Sequence, residues 1–322
     1  MPSTTPRTKG WYITAASVFV LAGLLAASVG TLPQSRRWYN VQELDAAVRH
    51  PPSLRPIVSY EHYEKNPRFP TAARVAHLAI SWFGHDDLGR SLFYRILPGF
   101  LVSLAIGLAA AAMAVAIGVT WGAAAALAGG RVDFIMMRFV DVLYGLPYIL
   151  MVILLKVGLT RPLTILWGGH SRGTDLVILL LAIGGVSWLT MARVIRGQVL
   201  SLCSQPFVEA ARACGAGALR IFRRHLLPNL VGPIAVYATL VIPQAMLQES
   251  FLSFLGIGIQ QPTPSLGRLA ADGVQAVNTF VGYWWLIVFP CAVLVLTLLA
   301  LNFIGDALRD AYDPKSKTVG LV

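Results

Sequence analysis

The sequence predicts an all-α, polytopic membrane protein with six transmembrane helices, and three observations carry that prediction. Of its 322 residues, 56% are hydrophobic and only 13% are charged, against roughly 25% charged in a soluble domain. Several uncharged runs reach the about 20 apolar residues needed to cross the hydrocarbon as a helix. The arginines and lysines behind the net charge of +11 gather between alternate runs, the distribution that orients a multi-pass chain. That reading explains the basic charge without nucleic acid, which is excluded as a partner. The cysteines Cys203, Cys214 and Cys291 lack C-x-x-C spacing, so no disulfide framework, metal site or cofactor is expected.

The first run, residues 11–30, follows Arg7 and Lys9. Its length exceeds the roughly 7–15 apolar residues of a cleaved signal, so a retained span with its amino terminus inside is expected. A long polar, proline-bearing segment follows, expected outside the membrane. It closes with Val75, Leu78, Ala79, Trp82 and Phe83 at helical spacing, an amphipathic helix suited to the interface. In "HDDLGRSLFYRIL", Asp86 or Asp87 is placed to N-cap a short helix carrying Leu88, Leu92 and Phe93. A metal site at His85, Asp86 and Asp87 is disfavoured, because adjacent residues diverge on a helix.

No charge falls between Arg95 and Arg131, which predicts one long, tilted helix. Its alanines and glycines predict close packing against other helices. A third span is expected at 134–157, with Arg138 and Asp141 spaced to pair on one face. A loop is expected at 158–175 and a fourth span at 176–192. A fifth at 231–254 is broken by Pro233 and Pro243 and carries Glu249. A loop then leads to the sixth span at 283–304. This divides the chain into residues 1–95, with the first span and long external segment; 96–310, a transmembrane domain of five helices; and 311–322, a tail. Six spans place both termini on the cytoplasmic side of the cell inner membrane, with membrane lipid as a partner. The inner segments then hold Arg193, Arg196, Arg212, Arg220, Arg223 and Arg224, whereas the short outer loops hold only Arg161, Arg172 and Arg268.

One segment breaks the apolar pattern, "FVEAARACGAGALRIFRRHLLPNL" at 207–230. Residues 209–213 form a helix, Gly215 and Gly217 interrupt it, and a second helix carries Arg220, Arg223 and Arg224 until Pro228 ends it. Charge alone is compatible both with a topogenic loop on anionic lipid and with a docking element.

At these residues the chain resembles the EAA loop of ABC importer permeases: E-A-A, three residues, G, nine residues, then I-x-L-P. Glu209, Ala210, Ala211, Gly215, Leu227 and Pro228 match that spacing. His225 replaces the isoleucine, and "HLLPN" is similar to the oligopeptide and dipeptide branch, in particular its C-type permease. "GHDDLGRSLFYRIL", "RVDFIMMRFVDVLYGLP", "ESFLSFLGIGIQQPTPSLG" and "GDALRDAYDP" resemble that branch in the same order. The resemblance implies a membrane subunit that works with a second permease subunit, two ATP-binding subunits and an external substrate-binding protein. In that frame Glu209, Ala210, Ala211, Gly215, Arg220, Arg223, Arg224, Leu227 and Pro228 form the ATPase-coupling element. Cargo stays open among short peptides, nickel chelates and peptide-like antibiotics.

The chain is not expected to be an enzyme: it has no G-x-x-x-x-G-K-[ST] for cradling phosphates and no H-E-x-x-H. A secondary transporter driven by an ion gradient is the alternative, and it requires ionisable groups buried midway across the membrane. Glu249 is the acidic group singled out for the translocation path. It either meets a peptide amino terminus or, as a structural group, satisfies a helix end or pairs with Arg268.

Overall fold

The structure, a computed structural model, describes residues 6–31, 51–53, 82–167, 169, 172–276 and 282–312. Most of the polar segment at 36–69, most of the amphipathic helix at 75–83 and most of the tail lie outside them. Ten helices follow in order among the described residues: α1 (Pro6–Gly30), α2 (Leu92–Ala128), α3 (Gly130–Tyr144), α4 (Tyr148–Leu166), α5 (Arg172–Cys203), α6 (Pro206–Ala213), α7 (Ala218–Ile221), α8 (Leu227–Phe254), α9 (Leu266–Ala276) and α10 (Trp285–Tyr312). A π turn, Phe222–Leu226, joins α7 to α8. Among the described residues, six helical segments are long and apolar enough to cross a membrane: Tyr12–Gly30, Leu92–Ala128, Tyr148–Leu166, Gly173–Cys203, Ala218–Phe254 and Trp285–Tyr312. The six-span, all-α expectation therefore holds.

Several boundaries move, each for a physical reason. The span expected at 134–157 is two helices, because Pro147 drives Leu146 out of the helical region and α3 stops at Tyr144. The loop expected at 158–175 is largely helix: α4 runs through Gly158 and Pro162 to Leu166. Over that stretch the Thr160 hydroxyl donates to Lys156 O at 2.7 Å and that of Thr164 to Arg161 O at 3.0 Å. Proline is tolerated in such helices where neighbouring groups restore hydrogen bonding. The fourth span does not stop at Ala192; α5 continues to Cys203 and carries Arg193 and Arg196. Pro233 and Pro243 sit inside a continuous α8. The loop before the last span contains α9, and α10 extends to Tyr312.

Contacts group the chain into two compact units, one with Ile106–Gln248 as its body and one with Glu249–Leu299 and the chain ending at Ala105. In the first, α2 packs on α5 at van der Waals limits, as its small residues predicted. A Cβ at Gly118 would lie 2.5 Å from Met191 Cβ. One at Gly122 would strike the carbonyl of Ala192. Only glycine permits that approach. In the second unit, Gly267 of α9 likewise lies against the Ser250 backbone.

Candidate functional site

The charged segment folds as a short helix, a tight reversal and a second helix. Pro206 opens α6 at a position where its missing N–H costs nothing, and Glu209 lies in the first turn, where the helix dipole favours an anion. The stop is a Schellman motif: Ala216 N–H donates to Ala211 O at 3.0 Å and Gly215 N–H to Arg212 O at 2.9 Å. It needs a left-handed residue, and Gly215 supplies φ +78°.

Pro228 does not end the second helix as the sequence suggested. It occupies the second position of α8, immediately after the π turn, in which Leu227 N–H reaches back five residues to Phe222 O. A proline ring clashes with the carbonyl four residues earlier in an α-helix, and the wider turn relieves it. Helix is thus continuous from Ala218 to Phe254.

Val208, Ile221, Leu226 and Leu230 are buried in one cluster with Val119 and Ala123 of α2 and Met191, Ile195 and Val199 of α5. That anchor leaves the other side of the segment in the open. Glu209, Ala210, Gly215, Arg220, Arg223, Arg224 and Pro228 are exposed, while Ala211 and Leu227 are half-buried. Two apolar side chains stand among the charges, Leu219 at 63% exposure and Phe207 at 42%. Small residues, fixed charges and apolar tips on a helix anchored from behind are what a docking surface requires.

Arg193 and Arg196 have other work. Arg196 binds Asp133 through two parallel bonds, Nε to Oδ1 at 2.6 Å and NH2 to Oδ2 at 2.5 Å. The Arg196 hydrogen bond holds the Asp133 carboxyl below the usual carboxylate range. Arg193 donates to Asp141 at 2.8 Å and lies 4.0 Å over the Tyr144 ring. The partner of Asp141 is therefore Arg193 on another helix and not Arg138. Together these pairs fasten α3 to the extension of α5.

Glu249 is fully buried. Its carboxylate accepts from Ser103 Oγ at 2.7 Å and Ser253 Oγ at 2.8 Å, and Ser253 Oγ in turn accepts from Ile259 N–H at 3.0 Å. It does not pair with Arg268, whose partner is Asp272 at 3.0 Å.

A second polar core escaped the sequence reading. Asp86 caps no helix at Leu88. Its Oδ1 accepts from Leu88 N–H and Arg90 N–H, each at 2.9 Å, shaping a turn before α2 begins. Its Oδ2 accepts from Arg90 Nε at 2.8 Å and from Arg95 NH1 at 2.5 Å. Arg95, fully buried, also lies 3.6 Å from Asp272. The i,i+4 spacings Asp86–Arg90 and Arg268–Asp272 were visible signals; the link between them was not. The string G-H-S-R-G at 169–173 spells the G-x-S-x-G of a nucleophile elbow, whose turn follows a strand; the element before it is the helix α4, and His170 and Ser171 themselves lie outside the described residues. No group of three metal-ligating side chains is found among the described residues.

Residues 114–318 match the family described as the binding-protein-dependent transport system inner membrane component. The chain belongs to that family. Relatives of this inner membrane component include the dipeptide transport system permease protein DppC of Bacillus subtilis, 46% identical over 234 residues, 73% of this chain and 68% of the relative. The oligopeptide transport system permease protein OppC of Haemophilus influenzae is 43% identical over 236 residues, 73% of this chain and 71% of the relative. A solved structure of the inward-facing MetNI methionine ABC transporter aligns with a TM-score of 0.55 at 19% identity, covering 69% of this chain and 98% of that one. The last likeness establishes the fold. The family match spans the charged segment and α8; the Asp86–Arg95 cluster precedes it.

Proposed function

We propose that this inner membrane component is the C-type permease subunit of an ATP-driven importer of short peptides. Its partners are a second permease subunit, two ATP-binding subunits and an external substrate-binding protein. The observation that carries the reading is the 46% identity to a dipeptide permease, reinforced by the exposed helix that presents Glu209. ATP is hydrolysed on the partners, since this sequence has no phosphate-cradling loop. The coupling element comprises Glu209, Ala210, Ala211, Gly215, Arg220, Arg223, Arg224, Leu227 and Pro228, with the Schellman reversal setting the angle between its helices. Both termini and this element face the cytoplasm, residues 1–95, 96–310 and 311–322 being the leading, transmembrane and tail parts. Burial of Glu249 among serines supports a structural clasp beside the path in preference to a peptide ligand.

The test is reconstitution of the complex in vesicles with external binding protein and tri-alanine. Uptake that requires internal ATP and both ATP-binding subunits supports the proposal. Ion-gradient-driven uptake by this polypeptide alone would establish the secondary transporter instead. A cysteine at Ser316, in a chain freed of native cysteines, should react with an impermeant reagent only from inside.

A further inference from the structure

We propose that a cleft among α3, α4, α5 and α8 is a station on the substrate path, holding the peptide main chain through neutral hydrogen-bonding side chains; this rests on the peptide-import reading above. The cleft has a volume of about 370 Å³ and lies wholly within the first compact unit. That is the size of small-ligand sites, about 300–1,000 Å³. Its polar groups come from four helices: Tyr144 of α3, whose ring lies under Arg193, Tyr148 of α4, Ser187 and Thr190 of α5, and Gln244 and Gln248 of α8. Ser187 and Thr190 are three apart and the glutamines four, so each pair lies on one helical face.

No carboxylate, lysine or arginine lines the cleft. Tyr148 Oη donates to Gln248 Oε1 at 2.5 Å and lies 3.4 Å from Ser187 Oγ. This leaves the Gln248 amide nitrogen as a donor. Gln244 and Thr190 are exposed on helices that otherwise present apolar surface at this level. A primary amide turned to lipid is unfavourable, and polar side chains within spans mark paths or contacts between helices. A peptide main chain repeats one N–H and one C=O per residue, the two functions a glutamine amide complements. Neutral walls also admit cationic and anionic side chains alike, because neither meets a like charge. Substrate breadth would follow directly.

The experiment uses the complete transporter in vesicles and compares initial uptake of tri-lysine, tri-alanine and tri-glutamate. Gln244→Glu should raise the tri-lysine to tri-glutamate ratio by about tenfold, the order expected of one charge in a partly solvated cleft. Gln244→Lys should shift it in the opposite direction. Thr190→Glu, on a different helix, should repeat the effect of Gln244→Glu and stands in if the Gln244 variants fail to accumulate. Ratios within twofold of the unmodified transporter, or equal loss of all three peptides at normal abundance, would overturn the proposal and make this face a contact with the second permease. If the unmodified transporter takes up none of the peptides, the cargo reading falls and this inference with it. Uptake with an unmoved ratio removes the inference alone.

Discussion

Ser103 donates a hydrogen bond to Glu249 at 2.7 Å across 146 residues of sequence. Both side chains are fully buried, so the bond ties α2 to α8 where no water competes. Ser103→Ala leaves the carboxyl one donor short, and a buried group deprived of its partner costs about 1–3 kcal/mol. We expect a lower thermal midpoint for the purified complex. An unchanged midpoint would show that the remaining serines, Ser253, Ser250 and Ser265, satisfy the carboxyl.

Replacement of Gly215 separates backbone from space. Nothing in this chain lies within 4 Å of a Cβ built there, so any strain within the chain itself arises from φ +78°. Gly215→Val should strain the reversal by about 1–3 kcal/mol and abolish uptake while the external binding protein still binds its ligand. Gly215→Asn, which tolerates the left-handed region, should retain most activity. Equal uptake by both variants would remove the reversal from the coupling mechanism.

Glu209→Lys reverses an exposed charge on α6. Association with the ATP-binding subunits should weaken, more at low salt than at high salt. A segment needed only for its arginines would tolerate or gain from this change. Co-purification at two salt concentrations decides between them.

The Asp133–Arg196 pair should be insensitive to pH over the physiological range. Its folded carboxyl titrates below the unfolded one, so its stabilisation is complete above the unfolded value and is lost as pH falls through the folded value. Asp133→Asn should lower stability, read from the thermal midpoint, equally at pH 5 and pH 8, by on the order of 1 kcal/mol for a partly exposed pair. A deficit at pH 8 alone would mean that the group titrates within that window.

Asp86→Asn should be more damaging, because it strips Arg90 and Arg95 of a shared buried partner. Removing one member of a buried ion pair costs about 3–5 kcal/mol. Failure of the variant to accumulate, restored by a concurrent Arg95→Met, would locate the cost in the Arg95 guanidinium, left with Asp272 alone at 3.6 Å.

Apolar run length made the six spans legible, and the E-A-A and glycine spacing made the helix reversal legible down to Gly215. Several misreadings fall at prolines. Pro162, Pro233 and Pro243 read as breakers because their cost is assessed locally, yet in a membrane a helix cannot open without exposing its backbone to hydrocarbon. Pro147 and Pro228 show the converse uncertainty: one ends a helix, and the other is accommodated by a π turn the sequence does not announce. Partners of charged groups were the least legible. Asp141 chose Arg193 over its near neighbour Arg138, and Glu249 chose serines over an arginine, because burial and helix packing set those distances and spacing along the chain does not.

The continuous helix from Ala218 to Phe254 makes one shaft of the arginine-bearing segment and the helix that carries Gln244 and Gln248. At about 1.5 Å per residue it is roughly 55 Å long. Under the proposed coupling role, a torque applied at Arg220 would be carried by the shaft's own backbone, without an intervening chain of side chains. Its compliant points are the π turn and the two proline sites. Stiffening one of these should therefore alter the timing of the transport cycle while leaving every contact at either end unchanged.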